Sequence, residues 1–76
     1  MRIVSEFYEE TLELSNSDLE RVFDLYEQYC DDNFQNPDCS KDEFIEMPEM
    51  FFDHVLYHTE IQDKKFVNDL IHKNRI

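Results

Sequence analysis

Seventy-six residues without one glycine leave a chain few ways to turn sharply. Tight phosphate loops, dinucleotide fingerprints and type I′ hairpins depend on positive φ or close backbone approach, which glycine supplies without steric cost. Walker and Rossmann architectures are therefore excluded. Helices bounded by side-chain caps become the expected units, and three cap patterns are present: Ser17 with Glu20, Ser40 with Glu43, and Thr59 with Gln62. After Ser17, the residues Leu19, Val22, Phe23, Tyr26 and Cys30 recur at helical spacing, which predicts a helix over 18–31.

After Ser40, a short helix with Phe44 and Ile45 inward is expected to stop near Met47, because Pro48 cannot donate to the preceding turn. Pro48 suits the first position of a following helix, running to about His58 and presenting Phe51, Phe52, Val55 and Leu56. A last helix over about 60–74 presents Ile61, Phe66, Val67, Leu70 and Ile71. Residues 1–14 read two ways. Ile3, Phe7 and Leu14 fit a helix, whereas Thr11-Leu12-Glu13-Leu14 alternates like a strand; a lone strand lacks a partner, so helix is favoured unless a dimer supplies the edge. Residues 31–39, with Asn33, Asn36 and Pro37, form the clear loop.

The expected fold is a single all-α domain over 1–76, a bundle of three or four helices. Its expected core is Leu19, Val22, Phe23, Tyr26, Phe44, Phe51, Phe52, Val55, Phe66, Leu70 and Ile71. Seven Phe and four Tyr supply enough apolar bulk to fold despite the charge. At this length the chain buries only about 60% of its unfolded surface, so no two-lobed cleft forms and a stand-alone enzyme is not expected. No apolar run is long enough for a membrane span, and the start of the chain turns acidic at Glu6 before a secretory core; a cytoplasmic location is expected. Residues encoded by AT-rich codons are common, while Gly, Ala, Pro and Arg together number five, a composition in keeping with a phage or mobile element.

Charge dominates the surface. Nineteen Asp and Glu oppose seven Lys and Arg, giving −12, and the imbalance is uneven: residues 1–60 carry −14 and residues 61–76 carry +2. Acids recur by threes and fours in three stripes, Glu6, Glu10, Glu13; Glu20, Asp24, Glu27, Asp31; and Asp42, Glu46, Glu49, Asp53. On helices each stripe lines one face, where like charges destabilise by a few tenths of a kcal/mol per pair. Such rows roughly imitate a line of phosphates and suit a protein partner with a basic surface. The expected function is a non-enzymatic acidic protein-binding module, of the kind of a phage inhibitor or DNA mimic directed at a nucleic-acid-handling protein. The expected partner-binding residues are Glu20, Asp24, Glu27, Asp31, Asp42, Glu46, Glu49 and Asp53. Direct nucleic-acid binding by the acidic body is opposed by repulsion; only Lys64, Lys65, Lys73 and Arg75 could serve, and a helix-dipole role near a C-terminus accounts for them as well. The alternative is an accessory subunit of a replication or repair complex, with its basic last helix near nucleic acid.

Cys30, Cys39, His54 and His58 follow a Cys, Cys, His-x3-His order, but the eight residues between the cysteines exceed the usual zinc-ligand spacing. No metal or cofactor is expected: Cys30 should face the core, Cys39 should sit in or beside the exposed loop before Ser40, and neither should be bridged. A calcium loop built on Asp31, Asn33, Gln35 and Asp42 lacks the turn glycine, at Asn36, and the bidentate glutamate, at Asp42. Acyl carrier proteins open their second helix with Asp-Ser-Leu, whereas the order here is Ser17-Asp18-Leu19. No nucleophile has an adjacent base.

The run from Leu25 through Tyr29-Cys30-Asp31-Asp32-Asn33 to Asn36-Pro37-Asp38-Cys39 locally resembles the C-terminal disulfide loop of the small Calvin-cycle linker proteins of chloroplasts and cyanobacteria. The resemblance implies a redox-sensitive linker, closing through Cys30 and Cys39 under oxidation and binding glyceraldehyde-3-phosphate dehydrogenase. It covers about a fifth of the chain; 37 residues follow Cys39, and Phe34 replaces the family's proline.

Overall fold

The computed structural model describes residues 1–76 and contains four helices behind a small antiparallel hairpin. The order is β1 (Arg2–Ser5), β2 (Glu10–Glu13), α1 (Asn16–Asp32), α2 (Lys41–Glu46), α3 (Pro48–Gln62) and α4 (Lys64–Asn74). The helical bundle is as expected, and no helix is long and apolar enough to cross a membrane.

Residues 1–14 correct the helical expectation. The strand finds its partner within the segment itself, with Ile3 opposite Leu12 and Ser5 opposite Glu10. Period-two alternation decides the fold: Ile3, Ser5, Leu12 and Leu14 are buried, while Arg2, Val4 and Glu13 face outward. The turn spans Glu6–Glu9 and places a single residue, Glu9, at positive φ (55°), so it avoids the two left-handed residues of a type I′ turn. The far edge of β2 is also met, because Ile76 N donates to Thr11 O at 3.0 Å and Arg75 bridges Leu12. Beneath the turn, Ser5 Oγ donates to Asp53 Oδ1 at 2.6 Å and Phe7 N donates to Asp53 Oδ2 at 3.3 Å, fastening the hairpin to α3.

Helix α1 starts earlier than expected. Ser15, not Ser17, is the cap: its hydroxyl accepts from Asp18 N, and the Asp18 carboxylate accepts from Ser15 N. The Ser40–Glu43 cap of α2 forms as expected, α2 gives way at Met47, and Pro48 opens α3. Thr59 is not a cap. It is fully buried inside α3, and its hydroxyl shares one proton between Val55 O (2.8 Å) and Val22 O (3.2 Å), which ties α3 to α1. The break instead falls at Asp63, whose carboxylate accepts from Phe66 N and caps α4.

The core joins Leu19, Val22, Phe23, Tyr26, Phe44, Phe52, Val55 and Leu70, all expected, to Ile3, Leu12, Leu14, Cys30, Cys39, Leu56 and Val67. Phe51, Phe66 and Ile71 are only half-buried against it, and Ile61 is exposed, because it belongs to α3 rather than to the last helix and lies off the α3 face formed by Phe52, Val55, Leu56 and Thr59. Leu12 carries no exposed surface, so Leu12→Ala is expected to cost about 2–5 kcal/mol in urea unfolding. A loss below about 0.5 kcal/mol, the range of ordinary surface changes, would contradict a hairpin packed into the core.

Candidate functional site

Of the three acidic stripes, the α1 stripe is the one the fold presents whole. Glu20, Asp24, Glu27 and Asp31 are all exposed along one face, with neighbouring Cβ atoms about 5–6 Å apart. A counter-charge enters from outside α1: Lys41 Nζ lies 2.6 Å from Asp24 Oδ1. That hydrogen bond, reinforced by the charges of Asp24, Glu27 and Glu20, raises the Lys41 pKa. One lysine thus answers four carboxylates, which leaves most of the row uncompensated.

The second stripe is divided by the α2–α3 junction. Asp42 and Glu46 lie on α2 and are exposed, as is Glu49 on α3, but Asp53 is half-buried with both oxygens committed to the hairpin turn. Glu46 and Glu49 flank a shallow cleft lined also by Met47, Pro48 and Met50. The remaining stripe does not exist, since its residues form a hairpin. Strand geometry sends Glu10 and Glu13 to opposite faces, Glu6 is in the turn, and Glu10 approaches Arg75 at 3.9 Å.

Cys30 and Cys39 are free thiols, and both are buried. Cys30 faces the core as expected. Cys39 occupies the predicted place in the chain but not the predicted exposure: it retains 7% of its surface, because Asp38 N donates to the buried Tyr26 Oη at 3.0 Å and draws the end of the loop inward. His54 and His58 lie with ring centroids 4.5 Å apart, their planes tilted by 52°; His54 Nε2 meets Asp38 Oδ2 at 2.5 Å, and His58 Nδ1 lies 2.8 Å from His54 O. No three His, Cys, Asp or Glu side chains are grouped to hold an ion.

Two surface features were not foreseen from sequence. One is an aromatic strip across α1, α3 and the hairpin turn, where Phe7 meets Tyr57 (5.6 Å), Tyr57 meets His58 (5.2 Å) and His58 meets Tyr29 (4.9 Å). Its members lie in three separate segments, so periodicity within any one could not reveal it. The other is Phe34, 98% exposed and held at φ 55°. It sits just beyond α1 where a helix usually ends in glycine: Phe34 N donates to Asp31 O and Gln35 N to Cys30 O, the paired bonds of a left-handed helix terminus. A bulky residue held there costs about 1–2 kcal/mol of backbone strain.

The C-terminal cations are dispersed. Lys73 lies in the last turn of α4 and complements its dipole. Lys64 and Lys65 open α4 instead, where the dipole disfavours them, and neither makes an ion pair.

Compared with models of protein families, with curated proteins and with solved structures, the chain matches none. Its chemistry therefore has to be read from its own groups. Burial pushes the thiols of Cys30 and Cys39 above their ordinary 9.0, and pushes the Tyr26 phenol from 10.0 to about 12 despite the Asp38 N–H that favours its ionised form. The folded chain holds these protons where the unfolded chain releases them, so the associated stability is complete below about pH 9 and is lost as pH rises toward 12. The urea midpoint is expected to fall between about pH 7.5 and about pH 10.5. Equal midpoints would contradict the burial of these groups.

Proposed function

We propose that the chain is a non-enzymatic acidic binding module, of the kind of a phage inhibitor or DNA mimic, that occupies a basic surface on a nucleic-acid-handling protein. The observation that carries this reading is the exposed α1 row, Glu20, Asp24, Glu27 and Asp31, with Lys41 as its one close counter-charge. Four carboxylates about one helical turn apart repel one another in the free chain, and a cationic partner relieves that repulsion on binding. Asp42, Glu46 and Glu49 extend the acidic surface past α1, and Met47 and Met50 in the adjoining cleft add apolar contact. Asp53 leaves the proposed binding set, since the hairpin occupies its carboxylate.

A second reading, an accessory subunit with α4 near nucleic acid, is favoured by Lys64 and Lys65, exposed and without local ionic partners. The two readings differ in the role of added DNA: it competes with the chain in the first and bridges to it in the second.

The test is a pull-down from the source cell with wild-type chain and with Glu20→Lys, Glu27→Lys and Asp31→Lys combined, keeping Asp24 to hold Lys41. The triple variant is expected to fold, to lose the retained protein, and to associate at least about tenfold more slowly at low salt. Double-stranded DNA is expected to displace the wild-type chain from the same protein. A specific partner indifferent to the three reversals and to DNA would overturn the charge reading.

A further inference from the structure

Phe34 gives the folded chain nothing that accounts for its presence. It is 98% exposed and contacts no ring within the aromatic strip, and it holds a backbone conformation that glycine or asparagine adopts with less strain. The loop around it is nonetheless fixed at both ends. Asn33 donates from its backbone N (3.1 Å) and from Nδ2 (2.8 Å) to Tyr29 O, and Gln35 N donates to Cys30 O at 2.8 Å. On the far side, Asp38 is held by the Tyr26 hydroxyl and by His54. The ring is therefore presented on a pre-ordered support, so little backbone freedom remains to be lost when it inserts into a partner. Its loop is anionic: Asp31, Asp32 and Asp38 are exposed within four residues of it in sequence, and residues 31–40 contain no lysine or arginine.

We infer that Phe34 is an aromatic anchor, inserted into an apolar cleft rimmed by lysine or arginine on the partner protein. Charge complementarity sets the rim, since the loop that carries the ring has exposed carboxylates on both sides of it in sequence and no cation, and the ring itself requires an apolar floor. This rests on the reading of the chain as a ligand for basic surfaces and adds to it a single apolar contact next to the end of the α1 row. An exposed aromatic centred in charged surroundings is the arrangement in which one residue supplies much of the affinity while the charges steer the approach.

Two synthetic peptides of equal positive charge separate the contributions, one of lysine and serine and one an amphipathic helix of lysine and leucine. Each is titrated into isotope-labelled chain and followed by amide shifts. Wild-type chain is expected to bind the lysine–leucine peptide about tenfold more tightly than the lysine–serine peptide, with shifts centred on residues 31–38. Phe34→Asn should remove that difference, leave the lysine–serine affinity unchanged and raise the melting temperature, whereas Phe34→Tyr should preserve the difference. An unchanged preference in Phe34→Asn, or a lowered melting temperature, overturns the anchor and leaves the charge reading standing. Failure of wild-type chain to bind either peptide overturns both.

Discussion

Everything in this small fold is organised by the seam between α1 and α3. Leu19, Val22, Phe23 and Tyr26 supply one side and Phe52, Val55 and Leu56 the other, all buried. The Thr59 hydroxyl, bonded to Val55 O within α3, also reaches across to the Val22 carbonyl, joining the two helices where an unpaired polar group would be costly. The hairpin, α2 and α4 are each too short to be stable alone, and each is fastened to this pair: the hairpin through Asp53, α2 through Phe44 and Lys41, and α4 through Val67 and Leu70. Asp53 shows how the seam reaches the surface, since an acid on α3 becomes the anchor of a turn more than forty residues earlier in sequence.

What was legible in the sequence follows from how local each determinant is. The α1 face, the Ser40 cap and the Pro48 start are written in residues within a few positions of one another, and they form as read. The hairpin was not legible, because its evidence lies in pairing. Ile3 and Leu12 become a buried pair only when the chain returns on itself, and a four-residue turn with Glu9 at positive φ carries no glycine to announce it. Thr59 and Gln62 imitate a cap motif, yet a threonine hydroxyl can equally bond back to the carbonyl four residues earlier within a helix, and burial against α1 selects that outcome. The acidic surface divides along the same line: the α1 row is a local helical pattern and survives, whereas the other two rows depended on a helix that is a hairpin and on an uninterrupted face that Pro48 divides. Lys41 and Phe34 were missed for opposite reasons. Lys41 reaches Asp24 only through the packing of α2 on α1, and Phe34 occupies a helix-terminal position normally recognised by its glycine.

A net charge of −12 on 76 residues works against compactness, and only some of the acids help to hold the fold together. Asp63 caps α4, Asp18 and Glu43 complete the caps begun by Ser15 and Ser40, Asp53 fixes the turn, Asp24, Asp38, Glu10 and Glu13 face cations, histidine or the N-terminal ammonium, and Asp32 accepts from Gln62. Glu20, Glu27, Asp31, Asp42, Glu46 and Glu49 hold no such position, and together with Asp24 they make up the proposed binding surface. Strain points the same way, since the exposed residue at positive φ beside this surface is a phenylalanine. Charge and strain that folding does not require are the common basis of both functional inferences.

That basis can be measured without a partner. If the unassigned carboxylates destabilise the free chain by mutual repulsion, screening them must stabilise it, because the Debye length falls from about 30 Å at 0.01 M salt to about 3 Å at 1 M. Thermal unfolding at neutral pH across that range of sodium chloride is expected to give a melting temperature that rises steeply at first and then levels off. A melting temperature that stays constant or falls would mean that the acids are already compensated within the fold, and would contradict the claim that a basic partner is needed to relieve them.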